Sequence, residues 1–139
     1  MRTKIISLVV AIFTLSSVFA QEGKTIKVNI SGIKGSEGMM MVALYNSEDS
    51  FLKKPFMASF AGIKDKKSEL VFKNVPSGTY AISCFYDKNS NKKLDSNCIG
   101  IPKEQYGMSN NAKGFMGPPS FKDAKFSVTF EDVVQDIKL

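Results

Sequence analysis

Apolar and polar residues alternate with a period of two over much of this chain, and the alternating runs predict a series of short β-strands. In Thr25–Ile30, the residues Ile26, Val28 and Ile30 fall on one face and Thr25, Lys27 and Asn29 on the other, as in a half-buried strand. Met39–Tyr45 is apolar on both faces and predicts a central strand, paired with the first in a hairpin across Gly32, Gly35 and Gly38. Asn46–Pro55 is polar, acidic at its start and basic at its end, which predicts one short helical turn stopped by Pro55. Phe56–Gly62 is a weaker strand, Lys64–Lys67 a charged turn and Glu69–Val75 a further strand. Pro76 and Gly78 then mark a turn. Tyr80–Tyr86 has the strongest alternation, with Tyr80, Ile82, Cys84 and Tyr86 on one face. Ala124–Phe130 and Val133–Leu139 complete the series. Such runs with almost no helix predict an all-β fold, an antiparallel β-sandwich of about seven strands.

One segment has a different character. From Asp87 to Lys122 there is little periodicity, and Gly100, Pro102, Gly107, Gly114, Gly117, Pro118 and Pro119 punctuate it. A stretch of this kind within a compact domain is usually functional or disordered. Ile99, Ile101, Tyr106, Met108, Phe115, Met116 and Phe121, with few charges between them, predict the ordered alternative, a long loop whose apolar side chains pack on the sandwich.

The start of the chain changes the domain count. Arg2 and Lys4 precede an apolar run from Ile5 to Phe13, and Val18-Phe19-Ala20 ends in small residues, which predicts a secretory signal peptide over residues 1–20 and export to the periplasm or beyond. Residues 21–139 then form a single domain with no transmembrane segment. Removing the leader takes away two basic residues and no acidic one, leaving 17 basic against 13 acidic and a net charge of +4. The lysines are dispersed and the only arginine lies in the leader, so no nucleic-acid footprint is expected. There is no histidine, which removes His-assisted triads and most zinc sites.

Three groups of residues carry candidate chemistry. Asp87, Asn89, Asn91, Lys93 (through its carbonyl) and Asp95 have the alternate-residue spacing of a calcium loop. However, Lys92 stands where such loops turn on glycine, and Cys98 stands where a closing glutamate belongs. The stretch is either a weak calcium site or an Asx-rich turn that caps its own backbone. Tyr106, Asn110, Asn111 and Phe115 offer aromatic faces and amides to a small ligand, or else plug the core and satisfy loop backbone. Cys84 and Cys98 flank the Asp87–Asp95 loop, as one disulfide or as two buried thiols.

The block from Asp87 to Phe121, containing D-K-N-S-N-K-K-L-D, G-I-P-K-E-Q-Y-G-M-S-N-N-A and G-P-P-S-F, resembles a bacterial secreted family designated domain of unknown function 2141. The upstream F-K-N-V-P-S-G-T-Y-A resembles that family too, and also the strand–turn–strand of transthyretin-like (prealbumin-like) sandwich domains. The resemblance implies an exported single-domain sandwich and brings no activity with it. The expected function is that of a monomeric, non-catalytic exported domain that binds a small ligand or an envelope protein through the 87–121 loop, with calcium ordering the loop. Two alternatives stand beside it: a small carbohydrate-active or hydrolase-like enzyme using loop carboxylates such as Asp95 and Glu104, and a structural module of envelope assembly.

Overall fold

The alternating runs become the strands of two stacked sheets. A computed structural model of the protein describes residues 22–93 and 104–139, so the expected signal peptide, Asp95 and Cys98 lie outside the described residues. The strands are β1 (Lys24–Ser31), β2 (Met39–Tyr45), β3 (Met57–Ala61), β4 (Ser68–Val75), β5 (Gly78–Asp87), β6 (Tyr106–Met108), β7 (Phe126–Val128) and β8 (Val133–Lys138). A three-stranded sheet runs β4-β1-β8, and a five-stranded sheet runs β3-β2-β5-β6 with β7 also paired to β5. β6 pairs with Ser83–Phe85 and β7 with Gly78–Tyr80, so the two short strands follow one another along the edge of β5 opposite β2.

The faces follow the alternation. Ile26, Val28 and Ile30 of β1, Leu70 and Phe72 of β4 and Ile137 of β8 share one core with Met40, Val42 and Leu44 of β2 and Tyr80, Ile82, Cys84 and Tyr86 of β5. Each such side chain removed fully from water contributes about 1.5–3 kcal/mol, so the inter-sheet layer is the main source of stability. A second, smaller cluster (Tyr45, Phe51, Ala81, Met108 and Ala124) contains β5 and β6 residues that lie outside this core. Phe51 meets Tyr45 edge-on at a ring separation of 5.3 Å and Phe121 at 5.7 Å.

The structure corrects four local expectations. β1 and β2 do not form a hairpin. Both edges of β1 are taken, by β4 antiparallel and by β8 parallel, and residues 32–38 cross from one sheet to the other. Buried Ile33 anchors that crossing, and the Tyr86 hydroxyl donates to the Glu37 carbonyl at 2.7 Å. The parallel β1–β8 pair also means that the three-stranded sheet is mixed. Asn46–Pro55 is a run of turns and contains no helix, because Leu52 at φ 58° departs from helical geometry directly after Phe51. The expected strand Ala124–Phe130 is split into a helical turn, α1 (Phe121–Ala124), and β7, leaving Phe130 exposed. Ser120 caps α1: its hydroxyl accepts from the Asp123 N–H and donates to the Asp123 carboxylate, a Ser-x-x-Asp capping signal in the sequence. Among the described residues, no helix is long and apolar enough to cross a membrane.

Tyr80 opens β5 by donating its hydroxyl to the Pro76 carbonyl, four residues upstream, at 2.6 Å. This bond fixes the corner at which the chain leaves β4 and changes sheets, as tyrosine corners do in other sandwiches. Burial raises the pKa of that hydroxyl, which keeps it a donor at neutral pH.

Candidate functional site

The expected calcium-loop residues Asp87, Asn89, Asn91 and Lys93 lie at the end of the sandwich where β5 stops. Asp87 is the last residue of β5 and is fully buried. Its two carboxylate oxygens accept the backbone N–H groups of Asn91 (3.1 Å) and Lys92 (2.7 Å), so the chain is drawn back over its own strand end. Asn89 Oδ1 accepts the Asn91 N–H at 3.2 Å, and Asn91 Oδ1 accepts the Lys93 N–H at 2.9 Å. Positive φ at Ser90 and Lys92 gives the loop its tight curvature. These are Asx turns, in which a short polar side chain replaces a backbone partner. A carboxylate offers about four acceptor positions, and these two bonds use two of those on Asp87. Among the described residues, no three His, Cys, Asp or Glu side chains form a metal cluster, and Asp95 lies outside those residues.

The loop is tied to its neighbours by Gln105, a residue without any pattern to mark it in the sequence. Its side-chain oxygen accepts the Lys34 N–H at 2.8 Å, its amide donates to the Gly32 carbonyl at 3.1 Å and its own carbonyl accepts the Tyr86 N–H at 2.8 Å. One residue therefore joins the sheet-to-sheet crossing, the end of β5 and the start of β6. Half-buried Glu104 immediately precedes it.

The Ser109-Asn110-Asn111 triplet serves the backbone. The buried Ser109 hydroxyl accepts the Ile82 N–H at 2.9 Å and donates to the Ala124 carbonyl, linking β5 to α1. Asn110, at φ 60°, donates its amide to the Asp123 and Lys125 carbonyls, and its own N–H goes to Gln135 Oε1. Asn111 donates to the Asp136 carbonyl at 3.3 Å and accepts the Lys138 N–H at 2.8 Å, which reproduces a strand pairing along the edge of β8. An open strand edge invites pairing with another chain, and this amide covers it.

Between β6 and the end of β8 lies a cleft of about 590 Å³, lined by Tyr106, Gly107, Met108, Asn111, Ala112, Lys113, Gly114, Lys138 and Leu139. Gly107 packs closely beneath it: a Cβ there would stand 2.8 Å from the side chains of Ile137 and Leu139, which would have to shift to admit it. The described lining has two lysines and no acidic side chain. Of the four residues expected to bind a ligand, Tyr106 and Asn111 line the cleft, Asn110 is turned to the backbone, and Phe115 projects away with its neighbour Met116, at 93% and 94% exposure. The expectation that Phe115 and Met116 pack on the sandwich is thus corrected; they sit at the tip of a turn that nothing described covers. Lys113 and Lys138 were not anticipated, because β8 is brought to the loop by bonds of Asn110 and Asn111 to Gln135, Asp136 and Lys138 that have no counterpart in the local sequence pattern.

Cys84 is a free thiol buried in the inter-sheet core. Burial pushes its pKa from 9.0 up to about 12, with a hydrogen bond to the Gly107 backbone pulling slightly the other way. It therefore stays protonated and behaves as a small apolar side chain.

Residues 28–136 match a family described as an uncharacterized protein conserved in bacteria, DUF2141. The chain belongs to this family. The DUF2141 match runs from within β1 to within β8 and so spans both sheets, the Asp87 loop and most of the cleft lining. No curated protein and no solved structure matches the chain. The likeness of this DUF2141 domain to transthyretin domains accordingly rests on the strand–turn–strand around Pro76 alone.

Proposed function

We propose that this is an exported, non-catalytic binding domain whose cleft between β6 and β8 receives a small ligand carrying an acidic group. The observation that carries the reading is that Lys113 and Lys138 both line a cleft with an exposed aromatic ring, Tyr106, and no acidic side chain in its described lining. Ligand clefts combine apolar walls with a few placed polar groups, and here the placed groups are cationic. The basic, apolar, small-residue order of residues 1–20 supports export.

Titration with galacturonate or with inorganic phosphate should shift the amide resonances of residues 106–114 and 138–139, and the uncharged sugar galactose should leave them nearly unmoved. Lys138→Ala should weaken the acidic probes by about tenfold, the loss of one charge-assisted hydrogen bond. If neither acid nor neutral sugar moves those resonances, the cleft is not a ligand site.

Calcium enters the proposal as a stabiliser of the loop beside the cleft. Asp87, Asn89 and Asn91 would supply side-chain oxygens, Lys93 its carbonyl and Asp95 a second carboxylate, at the spacing that hard cations favour. Support comes from Asp87, whose buried carboxylate is already fixed at the strand end with acceptor positions to spare. The ion would hold the loop in shape and take no part in chemistry. Calcium at about 100 times its Kd should add about 2.7 kcal/mol to stability relative to chelator. Superimposable melting curves in the two buffers would leave the loop held by its Asx bonds alone.

A further inference from the structure

Phe115 and Met116 line neither the cleft nor the core, yet the turn that carries them is firmly placed. On one side its stem is fixed by Asn110 and Asn111, whose amides bond to the backbone of α1 and β8. On the other side Pro119 is buried, Ser120 caps α1 and the Phe121 ring packs on Phe51. Met116 adopts φ 56°, a left-handed conformation that side-chain-bearing residues seldom take, and it turns the chain at its outermost point. The pair is therefore held out in solvent by fixed stems, where folding back would have been cheaper for two large apolar side chains. Phe130 is also highly exposed but stands alone between β7 and β8, and single exposed apolar residues are ordinary. Two adjacent ones at the tip of a braced turn are not.

Charge identifies what they meet. From Ala112 through Lys122 the only charged side chains are Lys113 and Lys122, one on each stem, and both are exposed. The nearest acid, Asp123, is engaged by the Ser120 hydroxyl. An apolar tip with a lysine on either side is the arrangement by which peripheral proteins touch an anionic bilayer: the aromatic and thioether side chains enter the acyl boundary while the ammonium groups remain at the phosphate level. We infer that the Phe115–Met116 turn is a membrane-contact tip, which docks the domain on a lipid surface bearing anionic headgroups. The inference shares Lys113 with the cleft, but Phe115, Met116 and Lys122 lie outside the cleft lining, and the test is built on those three.

The test is flotation of the full folded domain with vesicles of equal parts phosphatidylglycerol and phosphatidylcholine, against vesicles of phosphatidylcholine alone. The expected result is binding to the anionic vesicles that weakens in high salt, with little binding to the neutral ones. F115S/M116S should reduce binding by about tenfold or more, since the apolar contribution is lost, and K122E, outside the cleft, should reduce it by about fivefold or more. Because both side chains are exposed, F115S/M116S should melt at the wild-type temperature, which separates lost docking from lost folding. A Phe115→Trp variant should show a blue-shifted emission on adding anionic vesicles only. Equal binding by wild type and F115S/M116S, no binding of wild type to anionic vesicles, or an unshifted tryptophan would each overturn the inference; in the second case the tip would be left to a protein partner.

Discussion

Asp87→Ala should lower the unfolding free energy by about 2–3 kcal/mol and the midpoint of thermal unfolding by about 10 °C. The side chain is fully buried and accepts two backbone N–H groups with its two oxygens. Hydrogen bonds to a charged acceptor are worth about 1.5–3 kcal/mol, and alanine leaves both donors without it while opening a void at the end of β5. Asp87→Asn is also expected to destabilise, because one acceptor oxygen becomes an NH₂ facing an N–H. Asn89→Ala, which removes an exposed cap, should cost about 1 kcal/mol or less. Equal midpoints for Asp87→Ala and Asn89→Ala would mean that the buried carboxylate does not hold the loop. All three proteins should be compared in chelator, so that the effect is separated from any bound calcium.

Gly38→Ala should be at least as costly, about 3 kcal/mol or more. Gly38 sits at φ +82°, just before Met39, which pairs with Asp87. A Cβ would overlap the Asp87 carbonyl oxygen and lie 2.7 Å from Lys88 Cα. Both obstacles are backbone, so neither can swing aside as a side chain would. The strain of the left-handed conformation adds to the clash. Gly62→Ala is the matched control: a Cβ there meets nothing within 4 Å, and the substitution should change stability by about 0.5 kcal/mol or less. A Gly38→Ala protein as stable as the Gly62→Ala protein, measured by denaturant unfolding, would show that the start of β2 can shift away from Asp87. That outcome would also weaken the account of Asp87, since the same strand ends support both.

The strands were legible where burial has a period. Ile26, Val28 and Ile30 announced the inner face of β1, and Tyr80, Ile82, Cys84 and Tyr86 that of β5, because one face of each strand is dry. The pairing of β1 was not legible. Glycines at 32, 35 and 38 fit a hairpin as well as a crossing, and what decides is Ile33 and Tyr86, whose roles appear only with both sheets in place. β6 was missed because three residues with a central glycine carry no alternation. α1 had a signal, Ser120 followed by Asp123, which the apolar residues Phe126 and Val128 outweighed. In the candidate site, Asp87 was found from its spacing. The described contacts are those of an Asx turn, and the spacing that makes such a turn is the same one a calcium loop uses, so the sequence pattern offered both readings with the same residues. The Asn110 and Asn111 amides looked like ligand groups because surface asparagine has that use in binding sites. Their partners, on α1, at Lys125 directly after it and on β8, lie 13 to 27 residues away along the chain. Exposure of Phe115 and Met116 could not be read from composition, which counts apolar residues without locating them.

The parallel pairing of β1 with β8 sets an order on how the molecule is made. Ile26 lies beside Val133 and Ser31 beside Lys138, so the central strand of the three-stranded sheet waits for the last strand of the chain. No local turn can bring these together, and closing so long a loop costs entropy before any contact repays it. The three-stranded sheet is thus completed last, and until then β1 presents a bare edge. During synthesis the domain cannot reach its final state before its C-terminal residues are free. A chain with this wiring keeps the edge of β1 open until β8 has been made.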